Sequence, residues 1–479
     1  MLPPSHDRVV EALLDALQHS GVVWVLTGSA GFALQGVPVQ PRDVDVQTDE
    51  KGAYAIEGIL KARFPRSVVD PVGMREAPLV RSHLGRMDIL GLRVEIMGDI
   101  QKRKPDSPWE PPPDLTSLRT FVPWRSWSVP VLPIAYEREA YLRLGRSERA
   151  EALGRFLEKP KVYVTRRLPP EAIDVLSPLL RVNIWPEEET VVPRERLLAE
   201  VADAHAVLCL LTERIDEELL NHSPRLKIAA NMAAGYDNID VPACTRRRVL
   251  VTNTPGVLTE STADLAFALL LATARRIPES RDVLLQNRWR TWSPMFLAGQ
   301  DVHGATLGIV GLGRIGQAVA RRARGFGMTV TYYSRNRYPD SEQELGVQYS
   351  PLDDLLGESD FVSVHLPLTA ETRHFIGSRE LSLMKPSAVL INTSRGPVVD
   401  EKALYEALWN RRMWAAGLDV FEQEPLPPDS PLRALDNVVL LPHIGSASIK
   451  TRTSMAVMAA TNIRDYLFSG KPLTPVNAL

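Results

Sequence analysis

The 479-residue sequence predicts an α/β protein whose sheets are mainly parallel and covered by helices on both faces. Three observations carry that expectation. Short apolar runs (VYVT, AVLCLL, LKIAAN, VLVTN) alternate with charged-faced helical stretches after residue 158. A second series, LGIVGLG, TVTYYS, FVSVHLP, AVLINTS, AAGLDVF and NVVLLP, repeats the alternation further on, so two lobes are expected. A glycine-rich turn, GLGRIG, joins a strand pattern to a helix pattern.

Composition narrows the class. Hydrophobic residues are 44% and charged residues 24%, ordinary for a folded globular chain and unlike a disordered or collagenous one. Lys and Arg total 56 against 58 Asp and Glu, a net charge of -2. Residues 1–157 are balanced in the same way, so no nucleic-acid arm is expected. Cys209 and Cys244 lack CxxC spacing and a nearby His pair, which argues against zinc and against a disulfide framework. The longest apolar run, near Ala263 to Ala274, is broken by Asp264 and followed by Arg275-Arg276, too short to span a bilayer. MLPPSHDRVV carries no basic segment leading an apolar one, so a cytoplasmic location is expected.

Along the chain, VVEALLDALQ reads as an amphipathic helix and VVWVLTG as a strand. GSAGFALQG then reads as a turn and helix, and PRDVDVQT as a strand. The Pro-, Trp- and Ser-rich stretch 105–133 reads as irregular, and Tyr136 to Leu157 as one polar helix. A new α/β pattern begins at KPKVYVT, which puts a boundary near Glu158. The segment 260–276 is apolar all round and is expected to be buried, with a subunit contact as one reason.

Gly311, Gly313 and Gly316 follow the strand LGIV and open a helix. The first glycine permits a tight turn, the second lets backbone approach a pyrophosphate, and the third allows close helix–strand packing. Dinucleotide binding on a Rossmann-type sheet is therefore expected. The next strand, MTVTYY, ends in Ser334-Arg335-Asn336-Arg337, with no carboxylate before Asp340. A hydroxyl and two guanidiniums suit a ribose 2′-phosphate, so NADP is favoured and NAD remains possible.

Three phrases place one reactive residue after a strand: Arg395 in INTSRG, Glu424 in GLDVFEQEP and His443 in PHIGSAS. The carboxyl ends of parallel strands are where such sheets bind ligands. Arg can hold a carboxylate bidentately. His can exchange a proton near neutral pH, and Glu can fix its tautomer.

From about Lys159 onward these phrases, with NMAAGYDNIDV, TNTPGVLTESTADLAFALLLATARR and HLPLTAET, resemble the D-2-hydroxyacid dehydrogenases. Among them the likeness is greatest to the glyoxylate/hydroxypyruvate reductases. The resemblance implies a flavodoxin-like substrate lobe from residues 158–254 and 445–479, and a cofactor lobe from 255–444. It implies that Arg395 binds the 2-oxoacid, with Glu424 pairing with His443 as proton donor. Backbone at Ala234 and Gly235 would hold the substrate carboxylate, and Leu211, Trp292 and Phe296 would shape an apolar pocket. Leu312, Arg314, Ile315, Thr393, Ser394, Ile444 and Gly445 would line the cofactor, with Asp419 on the nicotinamide amide. His365 would serve packing or a cofactor-side turn. The resemblance also implies a homodimer and a small 2-oxoacid substrate: glyoxylate or hydroxypyruvate, with phosphoglycerate and D-lactate dehydrogenases as alternatives. Some relatives bind the dinucleotide only as a signal, which the presence of Arg395, Glu424 and His443 disfavours.

The first 157 residues resemble the nucleotidyltransferase superfamily through Gly28-Ser29, a helix, and Asp43-x-Asp45 on a strand. That resemblance implies nucleotide phosphate on the Gly-Ser turn and Mg on the aspartates. Residues two apart on a strand point the same way, so both carboxylates can reach one ion. Glu95 is the expected third ligand and Asp88 the fallback.

Overall fold

The computed structural model describes residues 2–104, 106–125 and 127–479; Pro105 and Ser126, within the stretch read as irregular, lie outside the described residues, as does Met1. The chain divides into two compact units. One is residues 1–230, 240–252 and 459–479; the other is 231–239 and 253–458.

The first unit holds two sheets. The N-terminal sheet has β1 (Trp24–Thr27), β2 (Val44–Thr48), β3 (Val68–Ala77), β4 (Val80–Ile89), β5 (Leu92–Lys102), β6 (Thr120–Trp124) and β7 (Trp127–Val131), in the order β3-β4-β5-β2-β1-β7-β6. Helix Pro4–Leu17 buries Val9, Val10, Leu13, Leu14 and Leu17, the spacing of one helical face, in the core that also holds Val44, Val46 and Ile96. The parallel register of β2 and β5 sets Asp45 beside Glu95.

Two local expectations are corrected here. Part of the stretch read as irregular folds as the β6–β7 hairpin, with Val129 and Val131 fully buried. Pro123 lies on β6, the edge strand, where a missing N–H costs least. The single polar helix is two, Ile134–Arg143 and Ser147–Glu158, separated at Gly145, whose φ is +67°. Together they bury Ile134, Tyr141, Ala150, Leu153 and Phe156 against Phe32 and Val37.

The second sheet of this unit comprises β8 (Lys161–Val164), β9 (Arg181–Ile184), β10 (Ala206–Cys209), β11 (Ile228–Asn231) and β12 (Leu250–Thr252), ordered β12-β11-β10-β8-β9. β8 runs parallel to β9 and β10, and β11 to β12. The C-terminal tail returns to it, since Asn477 accepts the Val251 N–H at 2.7 Å. Residues 1–157 approach its edge at Gly36, where a Cβ would lie 3.0 Å from the Val182 carbonyl oxygen.

The second unit is one parallel sheet of seven strands: β13 (Thr306–Val310), β14 (Thr329–Tyr333), β15 (Gln348–Tyr349), β16 (Phe361–Val364), β17 (Val389–Asn392), β18 (Ala415–Leu418) and β19 (Val438–Leu440). Their order is β15-β14-β13-β16-β17-β18-β19. The chain reverses direction across the sheet between β13 and β16, the crevice where doubly wound sheets bind ligands. Helix Thr259–Ala274 buries Ala263, Ala266, Phe267, Leu269, Leu270 and Ala274, which accounts for its apolarity on all sides.

Candidate active site and cofactor cradle

The glycine turn has the geometry its sequence demands. Gly311 has φ +101°, and a Cβ there would lie 2.8 Å from the His365 carbonyl oxygen. A Cβ on Gly316 would lie 2.3 Å from the Gly311 carbonyl oxygen, so helix and strand pack directly. Gly313 faces open space and caps helix Arg314–Arg324. That opening and the free N–H groups of the helix's first turn, beginning at Arg314 and Ile315, fit a pyrophosphate. Leu312 is buried, and its N–H donates to Ser334 Oγ at 2.7 Å, tying the turn to the end of β14.

Beyond Ser334 the basic residues differ. Arg337 pairs with Glu342 at 2.7 Å and stacks over Tyr349. Arg335 is exposed, as is Asn336, and Arg335 makes no hydrogen bond or ion pair among the described residues; it acts electrostatically on Glu371. Of the two arginines, Arg335 is the one left uncommitted among the described residues beside Ser334. Thr393, after β17, has its Oγ1 buried without a hydrogen-bond partner among the described residues, a second feature that suits a bound cofactor.

The three reactive residues follow β17, β18 and β19. His443 Nδ1 lies 2.6 Å from Glu424 Oε2, and the other Glu424 oxygen accepts the Phe421 N–H at 3.0 Å. The carboxylate thus holds the ring by Nδ1 and leaves Nε2 on the other side of the ring. His443 itself has φ +53°, a left-handed conformation. Fully buried Asp419 maintains this turn: its two oxygens accept the Ile444 and Gly445 N–H groups, each at 2.8 Å. Burial raises the Asp419 carboxyl above its ordinary range, while those N–H bonds oppose the rise.

Arg395 lies beside the 231–239 loop. Its Nε donates to Asp237 at 2.9 Å and its Nη1 to the Ser394 carbonyl at 2.9 Å. Nη2 lies close against Gly235: a Cβ there would fall 2.1 Å from it, so a larger residue would displace the end of the Arg395 side chain. Asn231 and Asn253 fix the loop by donating to the Gly235 and Ala234 carbonyls at 2.9 and 2.7 Å. Sequence reading missed Asp237, Asn231 and Asn253; their presence in NMAAGYDNIDV and TNTPG was the available signal. Ser394 is held by the Asn392 side chain, which accepts from both its N–H and its hydroxyl.

Trp292 and Phe296 are exposed in the second unit, and Leu211 is exposed in the first. His365 Nε2 lies 2.8 Å from Ser363 Oγ, and burial lowers the ring to about 4. It is a neutral packing residue whose carbonyl backs the glycine turn.

In the N-terminal sheet, Asp45 is crowded. Burial, followed by the Asp43, Glu95 and Glu137 carboxylates, pushes it up to about 7. Glu137 is itself buried and raised by burial; it accepts from Thr27 Oγ1 and, at 3.1 Å, from the Gly28 N–H. The Gly28 N–H expected to meet nucleotide phosphate is therefore held by an internal carboxylate. Glu95 pairs with Arg86 at 3.0 Å, and Asp88 caps the β4–β5 turn through the Gly91 N–H. Among the described residues no group of three His, Cys, Asp or Glu side chains is arranged to hold a metal ion. No described helix is long and apolar enough to cross a membrane.

A doubly wound sheet, a glycine cradle for a pyrophosphate and an Arg–Glu–His set at the strand ends define an NAD(P)-dependent oxidoreductase. Comparison with known proteins agrees. Residues 267–445 match the D-isomer specific 2-hydroxyacid dehydrogenase NAD binding domain, and residues 9–157 match the aminoglycoside-2''-adenylyltransferase family. A glyoxylate reductase of Korarchaeum cryptofilum is 54% identical over 307 residues, 64% of this chain and 92% of that protein. One from Thermococcus gammatolerans is 51% identical over 323 residues, 67% of this chain and 96% of that protein. The crystal structure of an NADPH-dependent glyoxylate/hydroxypyruvate reductase from Sinorhizobium meliloti, in complex with NADP and malonate, superposes with TM-score 0.58 at 36% identity. It covers 67% of this chain and 97% of its own. The chain belongs to the D-2-hydroxyacid dehydrogenase family, with an aminoglycoside-2''-adenylyltransferase-like domain ahead of the dehydrogenase part.

Proposed function

We propose that the chain reduces glyoxylate, or hydroxypyruvate, to the corresponding D-2-hydroxy acid, with NADPH as the favoured cofactor. The observation that carries this reading is the 2.6 Å contact between His443 Nδ1 and Glu424. It leaves an imidazole oriented to give a proton from Nε2. The curated relatives at about 50% identity, both glyoxylate reductases, support the substrate class.

A bound nicotinamide supplies the hydride. His443 delivers a proton to the C2 oxygen as negative charge develops there, and Glu424 stabilises the imidazolium before transfer. Arg395 binds the carboxylate and the developing oxyanion, with Ala234 and Gly235 backbone beside it. Positioning and electrostatics account for the rate, as expected when two reactants are held in line. Arg335 and Ser334 hold the 2′-phosphate, and the NADP-bound relative supports that preference. The lobe boundaries near 158, 254 and 445 are part of the same reading, as is a homodimer. Exposed Leu284, Leu285, Trp289, Trp292 and Met295 in one segment support the dimer, because such patches mark contact surfaces. A screen of 2-oxoacids with NADPH and NADH tests the reading. Turnover of glyoxylate or hydroxypyruvate with preference for NADPH is expected; turnover confined to other oxoacids overturns it.

For residues 1–157 we propose binding of a nucleoside triphosphate with Mg through Asp43, Asp45 and Glu95. The adenylyltransferase match and the crowding of carboxylates around Asp45, which a cation would relieve, support it. The ligands would have to draw together, with Glu95 leaving Arg86 and Glu137 yielding the Gly28 N–H. Calorimetry with Mg and nucleoside triphosphates tests this: wild type should bind and Asp43→Asn should not. No heat from the wild type would leave the domain a structural relative.

A further inference from the structure

The cradle around Arg395 contains a carboxylate that the reaction does not call for. A site for an anionic acid gains nothing electrostatically from Asp237, which lowers the net positive charge beside the guanidinium. Its placement needs another reason, and the geometry provides one.

A guanidinium is a rigid plane with five N–H donors, so fixing two of them at different nitrogens fixes the orientation of the rest. Asp237 Oδ1 takes Nε–H at 2.9 Å, and the Ser394 carbonyl takes one Nη1–H at 2.9 Å. Both Nη2 hydrogens are left, and Nη2 lies against Gly235. The Asn231 and Asn253 amides occupy the carbonyls of Gly235 and Ala234, while among the described residues the N–H groups of Ala234 and Gly235 make no backbone hydrogen bond. Nη2 therefore lies against the loop segment that carries these two N–H groups. Without Asp237, the arginine would keep one internal bond, to its own neighbour's carbonyl, and could swing about its long side chain.

We infer that Asp237 is the positioning residue of Arg395: it holds the guanidinium plane so that Nη2 stays aligned with the Ala234–Gly235 backbone. This rests on the reading of Arg395 as the partner of the substrate's carboxylate and carbonyl. Asp237 touches neither substrate nor cofactor in this scheme. Its carboxylate acts through Arg395, and its charge is the penalty for order.

The acceptor and the charge can be separated. Asp237→Asn keeps an Oδ1 acceptor for Nε and removes the charge; Asp237→Ala removes both. In the full-length chain Asp237→Ala should lower kcat/KM for glyoxylate by about tenfold to a hundredfold, the scale of a misplaced catalytic group. Asp237→Asn should recover to within about threefold of wild type, because the hydrogen bond survives. The KM for NADPH should stay within about twofold in both, which a general loss of structure would not allow. In an Arg395→Lys background the Ala substitution should cost nothing further, since a lysine has no plane to hold. If Asp237→Ala matches wild type while Arg395→Lys is impaired, the inference fails and the reading of Arg395 stands. If the Asn variant is as impaired as the Ala variant, the charge and not the hold is what matters, and the inference also fails. If Arg395→Lys keeps the wild-type KM and kcat for glyoxylate, the reading of Arg395 itself is wrong.

Discussion

Replacing Asp45 by Asn should stabilise the N-terminal sheet, and more so as pH rises. Asp45 lies on β2 among Asp43, Glu95 and Glu137, and burial with these neighbours raises it from 3.8 to about 7. The sign follows from proton counts. Between about pH 4 and pH 7 the folded chain keeps the Asp45 proton that the unfolded chain has released, so stability falls as pH rises through that window. Above about pH 7 both states are ionised and the full penalty is present. A rise from 3.8 to about 7 corresponds to about 4 kcal/mol at 1.36 kcal/mol per pKa step. That figure is an upper bound, because side chains and water relax around a charge; a difference of order 2 kcal/mol is expected at pH 8. Asn is nearly isosteric and cannot ionise, so it removes the penalty. Amide hydrogen exchange over β1, β2 and β5 in the full-length chain, without divalent cations, reads the effect. Comparison of variant with wild type at the same pH cancels intrinsic exchange. Nearly equal protection at or below about pH 4, an intermediate gain near pH 5 and about ten- to thirtyfold greater protection in the variant at pH 8 is the expected outcome. An advantage that does not grow with pH would refute the reasoning.

Other outcomes follow from the same structure. Arg335→Asp should erase or reverse the preference for NADPH, measured as the ratio of kcat/KM for the two cofactors, because it exchanges a phosphate partner for a ribose partner. Arg337→Ala should change that ratio less, since Glu342 already engages the guanidinium; a larger effect at Arg337 would reassign the phosphate site. A truncated chain of residues 158–479 should reduce glyoxylate at close to the full-length rate. Every residue assigned to the cofactor or the reaction, from Leu211 to Gly445, lies after residue 158. A folded truncated chain without activity would contradict that independence. Light scattering should report a dimer, and a monomer at micromolar concentration would remove the role given to the exposed segment 284–296.

What could be read from the sequence depended on how local the chemistry is. Gly311, Gly313 and Gly316 act within six residues, and Gly311 and Gly316 meet the constraints their positions implied. Arg395, Glu424 and His443 could be placed because each follows a recognisable strand. The pairing of Arg395 with Asp237 could not, because the partners are 158 residues apart and neither phrase points to the other. Glu137 was invisible for the same reason: it reaches Gly28 across 109 residues, from a helix whose sequence suggested only a polar face. The β6–β7 hairpin was hidden by its prolines, which read as breakers; the edge position of β6 supplies the reason Pro123 is tolerated. Charge along the sequence favoured Arg335 and Arg337 equally; only the Glu342 contact separates them.

The central claim is that His443, oriented by Glu424, gives the proton in a nicotinamide-dependent reduction of a 2-oxoacid. Single-turnover oxidation of NADPH by glyoxylate, followed in wild type and in His443→Ala of the full-length chain, tests it most directly. The account predicts a loss of roughly 10²- to 10⁴-fold in the chemical step, with NADPH affinity little changed. A variant that turns over within a few-fold of wild type would contradict it.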